Sequence, residues 1–268
     1  MVRRARLDAE LVRRGLARSR EHAADAIAAG RVRVSGQVAT KAATAIEADT
    51  PVVLVAGVGP EWASRGAHKL LGAFAAFAGQ GGVPVAGMRC LDAGASTGGF
   101  TDVLLRRGAR EVVAVDVGYG QLLWRVRADE RVTVIDRTNV RTLEAAAIGG
   151  PVDLVVADLS FISLRLVLPA LRACATEAAH YLLLVKPQFE VGRALLGTGG
   201  VVRDPALRMA AVRAVAAAAY DVGLGVVGVT ASPLPGPAGN VEYFLWLQAG
   251  AAALADVALE AAVEAGPR

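Results

Sequence analysis

The chain has 268 residues, 54% of them hydrophobic and 20% charged, with a formal net charge of +4. That balance supplies a sizeable core and excludes a disordered chain, and the length admits one large domain or a large and a small one. Mean hydropathy is +0.44, but the longest uncharged stretches, residues 71–88 and 222–241, are interrupted by Gly, Pro, Gln or Asn, and neither reads as a membrane span of about 20 apolar residues.

The opening MVRRARLDAE lacks the apolar centre of a signal peptide, so a cytoplasmic protein is expected. Two cysteines, Cys90 and Cys174, and three histidines, His22, His68 and His180, show no metal-ligand spacing. No metal is expected, and the thiols read as reduced core residues. Residues 1–50 hold ten Lys/Arg against six acids, so the whole positive surplus lies there. A basic segment joined to a neutral remainder predicts a polyanion-binding module attached to something else. Of 29 cations only three are lysines: Lys41, Lys69 and Lys186.

In chain order, Leu7, Leu11 and Leu16 predict a short amphipathic helix closed at Gly15. Ser19 caps a second helix, with Ala23, Ala26 and Ile27 on its apolar face and Gly30 at its end. RVRVSG alternates as a half-exposed strand does and turns at Ser35–Gly36; TPVVLVAG gives a last strand. Arg6-Leu7-Asp8, Gly15-Leu16, Ser19-Arg20, Ala23, Ile27, Gly30, Val32, Val34, Gly36 and Lys41 together resemble the S-four RNA-binding fold. The resemblance implies that the first helices and their turn face structured RNA. Arg4, Arg6, Arg14, Arg18, Arg20 and Lys41 are then the candidate phosphate contacts, which give salt-dependent affinity without reading sequence.

Pro60 marks a break. Ala67, Leu70, Leu71 and Phe74 follow at helical spacing, on a helix that starts near Ser64 and carries Lys69. The expected division is residues 1–58, a linker at 59–64, a second domain at 65–250, and a tail at 251–268.

From there short apolar runs recur: MRCLDAGAS, EVVAVDVG, VTVID, VDLVVADLS and YLLLVKPQ. Helical stretches at Thr101–Arg107 and Leu164–Thr176 separate some of them. The alternation predicts an α/β fold with a mostly parallel sheet covered by helices on both faces. Ligands of such sheets lie off the carboxyl ends of the strands, where this chain puts Asp92, Asp116, Asp136, Asp158 and Lys186.

LDAGASTGGFT is neither the G-x-G-x-x-G of dinucleotide binding nor a P-loop. It resembles the D-x-G-x-x-x-G-G-F motif that opens S-adenosylmethionine-dependent methyltransferase domains. That resemblance implies S-adenosylmethionine as cofactor and Asp92, Gly94, Ser96, Gly98, Gly99, Asp116, Asp136 and Asn139 as its candidate contacts. Asp116 alone leaves a nicotinamide cofactor open, since an acid there accepts ribose hydroxyls in either case.

The Asp158-Leu159-Ser160-Phe161 turn lacks the Pro-Pro of base-amino methylation. Cys174, in a predicted helix, and Cys90, ahead of the first strand, are not placed for attack on a pyrimidine carbon. Lys69, Asp158, Lys186 and Glu242, in that order, resemble the catalytic set of FtsJ-type ribose 2′-O-methyltransferases. SRGAHKL, CLDAGASTGGFT, DVGYGQL, DRTN, DLVVADLSFISL, LVKPQFEVG and GGVVRDP, behind an S-four-like module, look like the TlyA family of haemolysin-like ribosomal RNA 2′-O-methyltransferases. The resemblance implies a Rossmann-like, seven-stranded class I methyltransferase domain acting on cytidine ribose in ribosomal RNA or ribosomal subunits. Some relatives carry Arg-Ala-Trp-Val between the domains, where this chain has Pro60-Glu61-Trp62-Ala63.

Buried lysine can lose its proton and arginine effectively cannot, a physical reason for an arginine-rich chain to keep Lys186. Whether Lys186 acts as base or as charged clamp stays open at this point. Phe161 and Trp124 are candidates to stack on a base, with packing in the core or the cofactor wall the stronger expectation. Two other classes are carried: a membrane-active haemolysin, and a nicotinamide-dependent oxidoreductase with a basic appendage.

Overall fold

The structure, a computed structural model, describes residues 4–17, 19–28, 30–55 and 61–267. Arg18 and Pro60 lie outside them. The chain divides into two compact units, residues 1–65 and 66–268.

In the first unit β1 (Arg4–Arg6), α1 (Leu7–Arg13), α2 (Arg20–Ala28), β2 (Val32–Val34), β3 (Gln37–Val38), β4 (Ala45–Glu47) and β5 (Val52–Leu54) follow in order. Strands β1 and β4 pair antiparallel, and β2 lies between β3 and β5. The Ser19 hydroxyl accepts the His22 N–H at 3.1 Å and caps α2 as expected. Ser35 and Gly36, both at positive φ, form the two-residue turn joining β2 to β3. Leu7, Leu11, Ala23, Ala26, Ile27, Val32 and Ile46 form its core.

The second unit runs α3 (Gly66–Ala76), β6 (Arg89–Ala93), α4 (Gly99–Arg106), β7 (Glu111–Val115), α5 (Trp124–Arg127), β8 (Val132–Ile135), β9 (Val152–Ala157), α6 (Leu168–Ala173), β10 (Ala175–Val185), α7 (Pro187–Glu190), α8 (Pro205–Asp221), β11 (Leu224–Ala231), β12 (Tyr243–Ala249) and α9 (Asp256–Glu264). Its seven-stranded sheet has the order β11-β12-β10-β9-β6-β7-β8. All pairings are parallel except those of β12, which runs against both neighbours. Strand β6 sits between β9 and β7, so the chain's direction of travel across the sheet reverses there, and a crevice opens off the carboxyl ends.

Three local readings differ from the structure. Cys90 lies within β6, paired between Leu154 and Val112, and does not precede it. The helix expected at Leu164–Thr176 stops at Ala173, because Ala175 already pairs with Val152. Residues 256–264, counted with the tail, are helical and bury Leu259 and Ala262.

Helix α3 buries Leu70 and Phe74 and is also approached closely at Gly72. A Cβ on Gly72 would stand 2.4 Å from the Pro233 ring, so only glycine lets the 232–240 loop lie against the helix that carries Lys69.

Candidate active site

Four of the parallel strands deliver a polar residue to one edge. Asp116, Asp136, Asp158 and Lys186 each stand one residue beyond their strands, at the points where β7, β8, β9 and β10 release the chain. Asp158 joins two lysines. Its Oδ1 is 2.5 Å from Lys186 Nζ and its Oδ2 is 3.8 Å from Lys69 Nζ. Lys69 donates to Glu242 Oε2 at 2.6 Å. Lys69, Lys186 and Glu242 are all buried. Buried ionisable groups persist only when partnered, and this row alternates two lysines with two acids. The four residues thus form one connected group drawn from α3, the ends of β9 and β10, and the approach to β12.

Asp158 is also a wall of a cleft of about 440 Å³, together with Gly94, Ser96, Asp116, Val117, Gln121, Asn139, Leu159 and Phe161. The Asp116 carboxylate ties two loops together, accepting the N–H of Ser96 at 2.8 Å and of Gly118 at 2.7 Å. Its remaining lone pairs are available to a ligand's hydroxyls. At Gly94, φ is +87° and an added Cβ would meet the Asp158 carbonyl oxygen at 2.8 Å. The chain leaving β6 packs directly on the chain leaving β9 there, and a side chain would force the two apart. Ser96 and Phe161 hold left-handed backbone beside the same cleft, the kind of local strain that concentrates at binding sites.

Of the eight sequence-derived cofactor candidates, Gly94, Ser96, Asp116 and Asn139 line the cleft. Gly98 and Gly99 instead set the start of α4, where a Cβ on Gly98 would meet Leu122 at 2.9 Å. Asp136 accepts from the Gly120 N–H and from Arg127, tying the loop after β8 to the loop after β7. Asp92 lies inside β6, fully buried, and accepts the Thr101 hydroxyl proton at 2.6 Å. Phe161, 92% exposed, is a wall of the cleft rather than part of the core, and Trp124, 76% exposed, lies in neither.

Burial pushes the Asp92 carboxyl up to about 7, against the opposing hydrogen bond from Thr101. Between about pH 4 and 7 the folded chain therefore holds a proton there that the unfolded chain has lost. Stability falls as pH rises through that window. Asp92→Asn keeps the shape and removes the titration. Urea unfolding is expected to show the variant gaining roughly 2–3 kcal/mol on the wild type between pH 5 and pH 8; a gap independent of pH excludes a protonated Asp92.

Two contributors were not singled out from sequence. The Ser160 hydroxyl accepts from Lys186 Nζ at 2.9 Å. Glu190, buried, accepts the Leu164 N–H at 2.7 Å and also takes Ser163 and Arg165, tying the loop after β9 to α7. The KPQFE run carries Glu190 four residues after Lys186, the one signal that pointed to it.

In the first unit Arg4, Arg6, Arg20 and Lys41 are exposed. Arg6 and Arg20 both pair with Asp8, and the hydrogen bond from Arg6 leads in holding that carboxyl down to about 2. Arg14 is used differently: its guanidinium donates to Glu10 and to the carbonyls of Glu47, Ala48 and Thr50. Those bonds occupy the donors that a phosphate would need, so Arg14 reads as a strut of the domain.

The FtsJ-like methyltransferase family matches residues 62–249, and the S4 domain matches residues 5–52. Over 248 residues the chain is 63% identical to the 16S/23S rRNA (cytidine-2′-O)-methyltransferase TlyA of Mycobacterium tuberculosis, covering 92% of this chain and 91% of that one. Hemolysin A of Brachyspira hyodysenteriae is 36% identical, over 89% of this chain and 97% of its own. A solved Streptococcus thermophilus structure that carries a hemolysin name superposes with a TM-score of 0.76 at 36% identity, covering 98% of this chain and 96% of that one. Among the described residues no helix is long and apolar enough to cross a membrane. The connected Lys-Asp-Lys-Glu row, the cleft beside it and both domain matches agree: the chain belongs to the TlyA family of FtsJ-like methyltransferases that carry an S4 domain.

Proposed function

We propose that this methyltransferase moves a methyl group from S-adenosylmethionine to the 2′-hydroxyl of a cytidine ribose in ribosomal RNA. The observation that carries the reading is the connected row Glu242, Lys69, Asp158 and Lys186, whose Asp158 end forms a wall of the cleft. The cleft residues fit the cofactor. Asp116 offers a carboxylate to paired ribose hydroxyls, Val117, Val140, Leu159 and Ile162 offer apolar walls to a base, and Gly94 lines the same cleft while letting the β6 and β9 ends pack closely. When bound, the cofactor supplies an electrophilic methyl on a good leaving group.

The chain's own task is then orientation and one proton. Holding the hydroxyl in line supplies roughly 7–11 kcal/mol of such a barrier. Starting as an uncharged amine, Lys186 Nζ receives the proton released by the 2′-hydroxyl, and Asp158 at 2.5 Å holds the resulting ammonium. Lys69, bound to Glu242, keeps the far side of Asp158 beside a second cation. Attack through a cysteine has no support: Cys90 is buried in β6, where burial pushes its thiol up to about 12, and Cys174 is buried at the end of α6. The name of the Mycobacterium relative gives cytidine ribose of 16S and 23S rRNA as that protein's substrate. With the exposed cations of the S4 domain, it supports ribosomal RNA or a ribosomal subunit as the partner here.

The test is to incubate the protein with small and large ribosomal subunits and labelled cofactor, then map the product by reverse transcription at low dNTP. The expected result is a stop beside a cytidine in at least one subunit. Label recovered on a base instead of a ribose sinks the reading.

A further inference from the structure

We infer that Ser160 is a positioning residue for Lys186, fixing the direction in which its amine meets the substrate hydroxyl. The inference rests on the ribose-methylation reading above. Ser160 follows Asp158 by two residues on the turn after β9, and both line the cleft. Asp158 Oδ1 lies 2.5 Å from Lys186 Nζ, yet at an angle outside hydrogen-bonding range. Its attraction sets where the charge sits without setting how the amine is turned. Among the described residues the directed hydrogen bond of Lys186 is the one to Ser160 Oγ at 2.9 Å.

A lysine nitrogen has four tetrahedral positions, one of them taken by Cε. With one hydrogen on Ser160, the two remaining positions are fixed in direction, one on the side of Asp158 and the other left for the ribose. It presents an N–H when the amine is charged and a lone pair when it is neutral. Ser160 therefore orients Lys186 identically before and after proton transfer. Without it the amine turns freely about its last bond, and the fraction of bound complexes aligned for transfer falls. The sheet cannot do this work, because Lys186 stands outside the strand. The ring of Phe189, 6.0 Å from Nζ, offers no acceptor.

Ser160 is exposed, so Ser160→Ala removes a hydroxyl without opening the core. The expected result is a kcat about 10- to 100-fold lower, the loss of one hydrogen bond to a charged group. KM for cofactor and RNA stays within about twofold, and Ser160→Thr restores the rate. A second measurement is independent of turnover. With only Lys41, Lys69 and Lys186 present, lysine labelled at the ε-carbon gives three signals, assigned by single Lys→Arg variants. In Ser160→Ala the Lys186 signal is expected to move toward that of exposed Lys41, while that of Lys69 stays in place. An unmoved Lys186 signal overturns the inference, as does a change confined to KM or a kcat within twofold of wild type. If the wild type methylates no ribose, the functional reading fails, while the labelled-lysine measurement still decides whether Ser160 orients Lys186.

Discussion

Lys186→Ala is expected to lower kcat for methyl transfer by about 10³-fold, within the 10²- to 10⁴-fold range of a lost proton acceptor. Cofactor affinity measured by calorimetry stays within about threefold, since Lys186 is not among the cleft-lining residues. The fold survives because Lys186 stands at the strand end, after Val185, and contributes no ladder pairing. Lys186→Arg is the decisive companion. Arginine restores a positive charge and several donors beside Asp158 but cannot take up a proton. If Lys186 accepts the hydroxyl proton, Lys186→Arg stays within about tenfold of Lys186→Ala. Recovery to within tenfold of wild type means that a fixed charge suffices, and the proposed proton transfer to Nζ is wrong.

How far this site was legible depends on which feature carried the information. Parallel strands buried on both faces read as unbroken apolar runs, so EVVAV and LLLV announced themselves and the sheet class followed. The reversed strand β12 was not readable, because its place between β10 and β11 is set by long-range register, not by local pattern. Strands β1 and β4, three residues each, lack the Val-rich run that marked the equally short β2 and β5. Strand-end acids looked alike in sequence, yet the structure separates them. Ala93 is level with Val115 and Ala157, so Gly94 shares a level with Asp116 and Asp158, while Asp92 sits one pleat back inside the strand. That offset of two residues leaves the Asp92 carboxylate short of the sheet edge, buried within the strand. Ser160 was hidden for a different reason: serine after a strand is ordinary turn chemistry, and only the distance to Lys186 distinguishes it. The lysine count had the opposite effect. Two of three lysines in an arginine-rich chain meet at one aspartate, a coincidence that composition foreshadowed and geometry made specific.

The pair Lys69–Glu242 carries the largest expected effect on stability. Both side chains are buried, at 6% and 1% exposure, and their charged atoms lie 2.6 Å apart. Lys69→Met leaves Glu242 buried without its cation, while Asp158 keeps Lys186. Removing one partner of a buried pair costs about 3–5 kcal/mol. For a unit of this size that corresponds to a Tm lower by roughly 6–20 °C. Neutralising both partners is different. In Lys69→Met/Glu242→Gln no uncompensated charge remains, and replacing a buried pair with neutral groups is often close to neutral. The double variant is expected to recover to within about 2 kcal/mol of wild type. Activity does not recover with it, because Asp158 has lost the cation 3.8 Å from its Oδ2 and turns toward Lys186 alone. Urea unfolding and single-turnover methylation on the same three proteins separate the two roles. A single variant as stable as wild type, or a double variant no more stable than Lys69→Met, shows that the pair is not held as a buried ion pair. A double variant that regains full methylation shows that Lys69 and Glu242 serve the fold and not the proton transfer at Lys186.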